Sequence, residues 1–341
     1  MSVLSAAVRH FAEAIATGSA AVGTRVEVGE EVLDARAAWM NLAPPGERSP
    51  NGSCRMMRAA DGWIAVNLPR EDDLASVPAW VDCGLDDEPW AAIAEAARAR
   101  PAADLAQDAQ RLGLPVAVVG GVRAADPDAP FRRIGVGGPK AGSRPPRVID
   151  LSSLWAGPLC GALLARAGCE VRKVESDGRP DIARLSTPGF FAELNDGKAQ
   201  ISLDFLDSNA LGWLRREIAV ADVLITSARP RAFDQLGLSP EAVFAANPGL
   251  VWTAITGYGW YGPLSHQVAF GDDAAAAGGL VRWCGGRPEF MGDALADPLT
   301  GLAAAAGALK ALAQAGGVLV DVAMARTAAG VAAQAGLAVA A

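Results

Sequence analysis

The chain has 341 residues, half of them apolar and a fifth charged, which is enough to bury a core and too apolar for a disordered tail. Its net charge of −8 excludes a protein built to coat nucleic acid. Two histidines exclude a histidine-rich metal centre, and five scattered cysteines without a CxxC pair exclude a disulfide framework.

In chain order, residues 1–48 read as an N-terminal helical segment. Arg9, His10 and Glu13 interrupt what would be the apolar core of a signal peptide. Residues 49–125 read as a small α+β domain. There, strands near 54–57 and 63–66 flank Asp61-Gly62, a hairpin signal, and two Ala-rich helices and the apolar run 115–119 follow. Residues 126–146 hold Pro127, Pro130, Pro139, Pro145 and Pro146 with glycines between them, a composition expected to form neither helix nor ladder and read as a linker. From 147 to 341 the pattern alternates. Strands are expected at 147–151, 170–174, 200–204, 222–226, 250–256 and 317–322, with helices at 157–167, 209–218 and 298–314 and one more at the end. Such alternation predicts an α/β fold, a doubly wound, mostly parallel Rossmann-like sheet beside the smaller α+β domain. Ligands of such sheets bind beyond the carboxyl ends of the strands, so the loops opening at Ser152, Glu175, Ser227 and Gly257 are the candidates. The apolar stretch from 298 onward is broken by Lys310, Asp321 and Arg326, so no membrane span is expected and the cytoplasm is the expected location.

Few local patterns carry chemistry. Residues 257–262 match GxGxxG after a strand, but Pro263 follows and Tyr258, Trp260 and Tyr261 crowd the turn, so a strand-exit loop fits better than a dinucleotide site. No GxSxG elbow exists, and His266 reads as an ordinary loop histidine. Asp297 precedes Pro298 at the head of a long helix, which suits an N-cap with proline at N1. The same position suits a nucleophilic carboxylate, because a helix N-terminus favours its ionised form. Asp272 and Asp273, in a glycine-flanked segment, read as a solvated turn. Lys173 and Lys198 fall beside strands at the ligand edge, where surface charge is the ordinary reading and a phosphate contact the functional one.

Together these segments resemble the family III CoA-transferases, the group that includes formyl-CoA transferase, carnitine CoA-transferase and alpha-methylacyl-CoA racemase. The resemblance runs through residues 147–158 (RVIDLSSLWAGP), 163–175 (LLARAGCEVRKVE), 194–198 (LNDGK), 201–204 (ISLD) and 221–225 (ADVLI). It continues through Arg229-Pro230, Leu236-Gly-Leu238, Asn247-Pro248, Gly257-Tyr-Gly259, Gly262-Pro263 and Val320-Asp-Val322. The resemblance implies that Asp297, within residues 295–301 (LADPLTG), is the catalytic nucleophile. It implies that CoA, a substrate and carrier rather than a permanently bound cofactor, lies along Leu154, Trp155, Ala156, Leu203, Ser227, Ala228, Ala232 and Leu236.

The implied reaction passes CoA from an acyl-CoA to a carboxylic acid through an aspartyl anhydride and thioester, with no metal, in a homodimer. An acyl-CoA isomerase and a non-catalytic CoA-binding subunit are the alternatives. Some positions depart from the family pattern. Ser176 and Gln235 stand where basic residues are common, with Arg179 and Arg231 nearby, and Asp272 stands where the racemases carry histidine. Residues 51–121 resemble the family's small domain yet precede the sheet domain, as in a circular permutation. Gly52 then falls in the glycine loop that covers the active-site aspartate.

Overall fold

The computed structural model describes residues 4–124, 131–135, 137, 144–314 and 316–337. The strands are β1 (Cys54–Arg58), β2 (Trp63–Asn67), β3 (Val116–Val118) and β4 (Phe131–Arg133). Then follow β5 (Arg147–Leu151), β6 (Glu170–Ser176), β7 (Ala199–Leu203) and β8 (Val223–Thr226). Last come β9 (Val251–Thr256), β10 (Arg282–Cys284), β11 (Arg287–Glu289) and β12 (Val318–Ala323). The chain forms two compact units, each assembled from three segments. The first takes Met1–Ala35, Asp126–His266 and Pro298–Ala323, and the second Arg36–Ala125, Gln267–Asp297 and Met324–Ala341. Among the described residues no helix is long and apolar enough to cross a membrane.

The first unit is built on a seven-stranded sheet of order β4-β12-β9-β8-β5-β6-β7. The chain starts at β5, winds outward through β6 to β7, then returns to β8 and winds the other way through β9 to β12. This is the doubly wound order, with its switch point between β5 and β8. β8, β9 and β12 are buried along their whole length, as strands covered on both faces must be. Their apolar runs Val-Leu-Ile, Val-Trp and Val-Leu-Val carry that burial, with Ile149, Leu224, Trp252 and Leu319 in one cluster. Trp260, from the loop that matched GxGxxG, turns into the same core, its ring 5.0 Å from that of Trp252, and its backbone N–H donates to Asp321 Oδ1 at 2.8 Å.

β4 corrects one expectation. The 126–146 stretch was expected to form no ladder, yet residues 131–133 pair antiparallel with β12 at the sheet edge. An edge strand needs partners on one side only, so three residues between prolines are enough. Most of the remainder of that stretch lies outside the described residues.

Lys173 and Lys198 are a second correction, because neither is on the surface. Both side chains are fully buried. Lys198 Nζ donates to Asp150 Oδ2 at 3.0 Å, to Pro158 O at 2.8 Å and to Asn195 Oδ1 at 3.1 Å. Lys173 Nζ donates to Ser152 O at 2.8 Å and to Asp181 Oδ2 at 3.2 Å. All three ammonium protons of Lys198 are engaged, which leaves nothing to offer a phosphate. Burial works to raise the Asp150 carboxyl, but Lys198 and Lys173 outweigh it and hold it below the usual range.

The second unit holds the antiparallel sheet β1-β2-β3. The hairpin closes between Arg58 and Trp63, where Ala59 N–H donates to Gly62 O at 2.9 Å, and Asp61 Oδ1 accepts the Ala102 N–H that opens a following helix. Both faces of the sheet are covered, as its period-two alternation requires. Met57, Ile64 and Val66 pack with Trp80, Ile93 and Leu105, while Cys54, Met56 and Ala65 pack with Ala276, Val281 and Phe290. Ala276 comes from a short helix, Gly271–Ala277, whose Gly278 cap packs so tightly that a Cβ there would lie 2.5 Å from Ala329 N.

Candidate active site

Asp297 is the second residue of the helix Ala296–Ala313. The sequence predicts an N-cap with the helix opening at Pro298; the structure instead starts the helix two residues earlier, at Ala296, and places the carboxylate inside its first turn. A tight turn delivers it there. Ala294 adopts φ +46°, and Asp297 N–H donates to Ala294 O at 2.8 Å. The carboxylate is half-buried and rests on the bare Cα of Gly271, where a Cβ would lie 2.3 Å from Asp297 Oδ2 and 2.5 Å from Ala294 O.

Asp272 and Asp273 follow that glycine, and they are the third correction: both are buried, not solvated. Asp272 Oδ1 accepts the Ala294 N–H at 2.8 Å, and Oδ2 accepts from Asn51 Nδ2 at 2.9 Å. Burial and the neighbouring charge of Asp293 push its carboxyl up to about 6, against the hydrogen bonds from Asn51 and Ala294. Asp273 Oδ1 accepts from Asn67 Nδ2 at 2.8 Å and from Phe270 N–H at 2.9 Å. Its Oδ2 is buried without a hydrogen-bond partner, and burial pushes this carboxyl up to about 8. At neutral pH Asp273 therefore holds its proton for most of the time.

Arg36 offsets this group. Arg36 donates to both oxygens of Asp293, Nε to Oδ2 and Nη2 to Oδ1, each at 2.7 Å. This is the bidentate fork that only arginine makes. Burial opposes the charge on Arg36, but Asp293, Asp297 and Asp272 together push the guanidinium above its ordinary value. Asn51 joins the parts, since Nδ2 also reaches Asp293 Oδ1 at 3.3 Å while Oδ1 accepts from Ser53 N–H at 2.8 Å. Ser53 Oγ lies 2.7 Å from Asn51 Oδ1 and 2.9 Å from Asn67 Oδ1, so its single proton serves one of them at a time. Gly52, with φ +83°, turns the chain between these two polar residues. Sequence reading missed Arg36, Asn51, Asn67 and Asp293. The Asn-Gly pair at 51–52 was the one local signal among them.

The residues expected along CoA belong to the first unit. Ser153 N–H donates to Ser227 Oγ at 2.9 Å, which ties the loop after β5 to the loop after β8 across the switch point. Leu154, at φ +68°, is a strained non-glycine residue. The buried Asp181 holds it in place, accepting the Leu154 N–H at 3.1 Å while bound to Lys173. Leu154 is half-buried, whereas Trp155 and Ala156 are buried, the Trp155 ring standing edge-on to Phe190 at 5.1 Å. Ser227, Ala232 and Leu236 are half-buried and Ala228 is exposed. Leu203 ends β7, two strands from β5, at the same carboxyl edge. Gly157 lets the following helix approach this loop, because a Cβ there would fall 2.1 Å from Ser152 Cβ.

The succinyl-CoA–D-citramalate CoA-transferase of Chloroflexus aurantiacus is 33% identical over 187 residues, 50% of this chain and 46% of that protein. A formyl-CoA:oxalate CoA-transferase of Escherichia coli is 30% identical over 176 residues, 49% of this chain and 42% of that protein. The crystal structure of a CaiB/BaiF family protein from Brucella suis is similar at TM-score 0.52 and 30% identity, over 55% of this chain and 54% of that one. The chain thus spans about half the length of the curated relatives it matches. Residues 146–340 match the description of CoA-transferase family III, and the chain belongs to that family.

Proposed function

We propose that this chain transfers CoA between an acyl-CoA thioester and a carboxylic acid, with Asp297 as nucleophile. The supporting observation is a half-buried carboxylate in the first turn of an 18-residue helix, seated on a bare glycine beside Arg36. Asp297 attacks the donor's thioester carbonyl; the C–S bond breaks and CoA leaves as thiolate, giving an aspartyl mixed anhydride. The thiolate then attacks the aspartyl carbonyl, releasing the donor acid as carboxylate and leaving aspartyl-CoA. An incoming carboxylate reverses both steps, so no metal and no redox partner enters the balance. The positive end of the helix favours the ionised Asp297 and the oxyanion formed next to it.

In this reading CoA lies along Leu154, Trp155, Ala156, Leu203, Ser227, Ala228, Ala232 and Leu236. The buried Trp155 and Ala156 would contribute backbone, and Leu154 and Ser227 side-chain surface. The chain acts in the cytoplasm as a homodimer, and it is a circular permutation of the family's usual domain order. A monomer by light scattering at micromolar concentration would remove the dimer from this reading.

Incubation with an acyl-CoA and hydroxylamine, followed by peptide mass analysis, tests the mechanism. A hydroxamate on Asp297 is the expected product. Asp297→Asn should fold, losing about 0.3–1 kcal/mol of helix-terminus stabilisation, and should lose transfer by roughly a thousandfold or more. Exchange of the alpha hydrogen of a 2-methylacyl-CoA without an adduct would make the protein an isomerase instead. Unchanged activity in the Asn variant would end the catalytic assignment.

A further inference from the structure

The second unit contains a cavity of about 780 Å³ that the proposed transfer chemistry does not use. Arg48, Arg55, Arg58, Arg98 and Arg287 line it, with Glu47 the one carboxylate among its walls. Glu47 is already engaged by Arg287 Nη1 at 3.1 Å. Among the described residues, none of the other four arginines has a carboxylate within 4.0 Å. Arg48 Nε donates to Gly52 O at 3.3 Å, a neutral partner. In a chain of net charge −8, five guanidiniums gathered around one carboxylate are not an average piece of surface.

The walls also orient these charges. The Arg55 guanidinium sits 4.0 Å from the centre of the Trp90 ring, and that of Arg58 5.7 Å from the Trp63 ring. Arg55 Nε is buried with no hydrogen-bond partner, as is Nε1 of Trp63, another wall of the cavity. Buried donors without acceptors are costly and are ordinarily filled by a ligand or water. Burial and the repulsion of Arg48 pull Arg55 below its ordinary value against the opposing charge of Glu88, and a bound anion would add to the Glu88 side of that balance. β1 and β2 supply Arg55, Arg58 and Trp63, while the two-residue turn at Gly285 and Gly286, both at positive φ, brings Arg287 to the same space.

We infer that this cavity binds a pyrophosphate-bearing small molecule. Planar guanidiniums grip phosphate oxygens two at a time, and several of them together match a ligand carrying more charge than one carboxylate. The volume suits a ligand of nucleotide size. The chemical steps proposed for Asp297 assign none of these arginines a role.

Calorimetric titration of the full chain with inorganic pyrophosphate, with ADP and with citrate, at 0.15 M salt, tests it. Pyrophosphate and ADP should bind at least about tenfold more tightly than citrate, a difference of about 1.4 kcal/mol. The double variant Arg58→Glu, Arg98→Glu changes two exposed side chains and should keep its thermal unfolding. It should weaken pyrophosphate binding by about tenfold or more. CoA displacing pyrophosphate would identify the source as the diphosphate of CoA itself; CoA binding without displacement would identify a separate phosphorylated metabolite. Either leaves the site standing. No pyrophosphate heat with the wild type, equal binding of citrate, or undiminished binding by the double variant would overturn it. A failed hydroxamate experiment would leave these results untouched.

Discussion

A Cβ on Gly271 would lie 2.3 Å from Asp297 Oδ2, so the absence of a side chain at 271 decides where the carboxylate sits. The relationship links the helix Gly271–Ala277 to the turn that delivers Asp297. Gly271→Ala must displace either the carboxylate or Ala294, whose carbonyl is 2.5 Å from the same point. Overpacking of this kind costs about 1–3 kcal/mol. Urea denaturation should show that loss, and CoA transfer by the same sample should fall at least about tenfold through misplacement of the proposed nucleophile. Full activity in the alanine variant would detach Asp297 from the chemistry.

The pair Asp272 and Asp273 predicts an unusual pH dependence. An unfolded aspartate titrates near 3.9, whereas burial holds these two at about 6 and about 8 in the folded chain. The folded state therefore binds protons more tightly than the unfolded one, and their contribution is greatest in acid. Stability should fall as pH rises from about 4, through 6 for Asp272 and through 8 for Asp273, and then level off. Asp273→Asn keeps an oxygen to accept from Asn67 and Phe270 and has no proton to lose. Chemical denaturation between pH 6 and 8.5 should show a flatter profile in that variant; an unchanged slope would place the titration elsewhere.

Asp181 and Lys173 form a buried pair beneath the loop carrying Leu154. Asp181→Ala leaves the buried Lys173 ammonium with only the more distant Glu175 Oε1, at 3.8 Å and shared with Arg184, a loss of about 3 kcal/mol. It also frees the Leu154 backbone from its strained φ. Replacing both, Lys173→Met with Asp181→Leu, should restore most of the stability by removing the buried charge. CoA binding should stay weak in the double variant, because the loop remains without its anchor. Recovery of CoA affinity together with stability would show that the loop needs no anchor.

Ligand-dependent melting separates two readings of the sheet edge. CoA should raise the melting temperature, by the equivalent of about 2.7 kcal/mol at a hundredfold excess over Kd. NAD should leave it unchanged, because Trp260 fills the loop that matched GxGxxG and no helix opens there. A shift with NAD and none with CoA would overturn the proposed ligand.

Legibility in the sequence followed the range of the interaction. β5, β8, β9 and β12 are short apolar runs separated by helices, and their doubly wound order could be expected because burial on both faces of a parallel sheet demands that pattern. Asp297 stood out because a carboxylate and a proline at a helix head form a local signal, although the helix begins two residues earlier than that signal suggests. Lys173, Lys198, Asp272 and Asp273 could not be placed in this way. Whether a charged side chain is solvated or buried depends on a partner far off in the chain: Asp150 for Lys198, Asn51 for Asp272, Asn67 for Asp273. Arg36 and Asp293 are 257 positions apart, and no local pattern marks either. Periodicity reports which face of an element is apolar. Pairing of buried charges, and the five arginines brought to one cavity by two hairpins, a helix and the segment before β1, arises only when distant segments close on one another, because desolvation and Coulomb energy are set by separation in space.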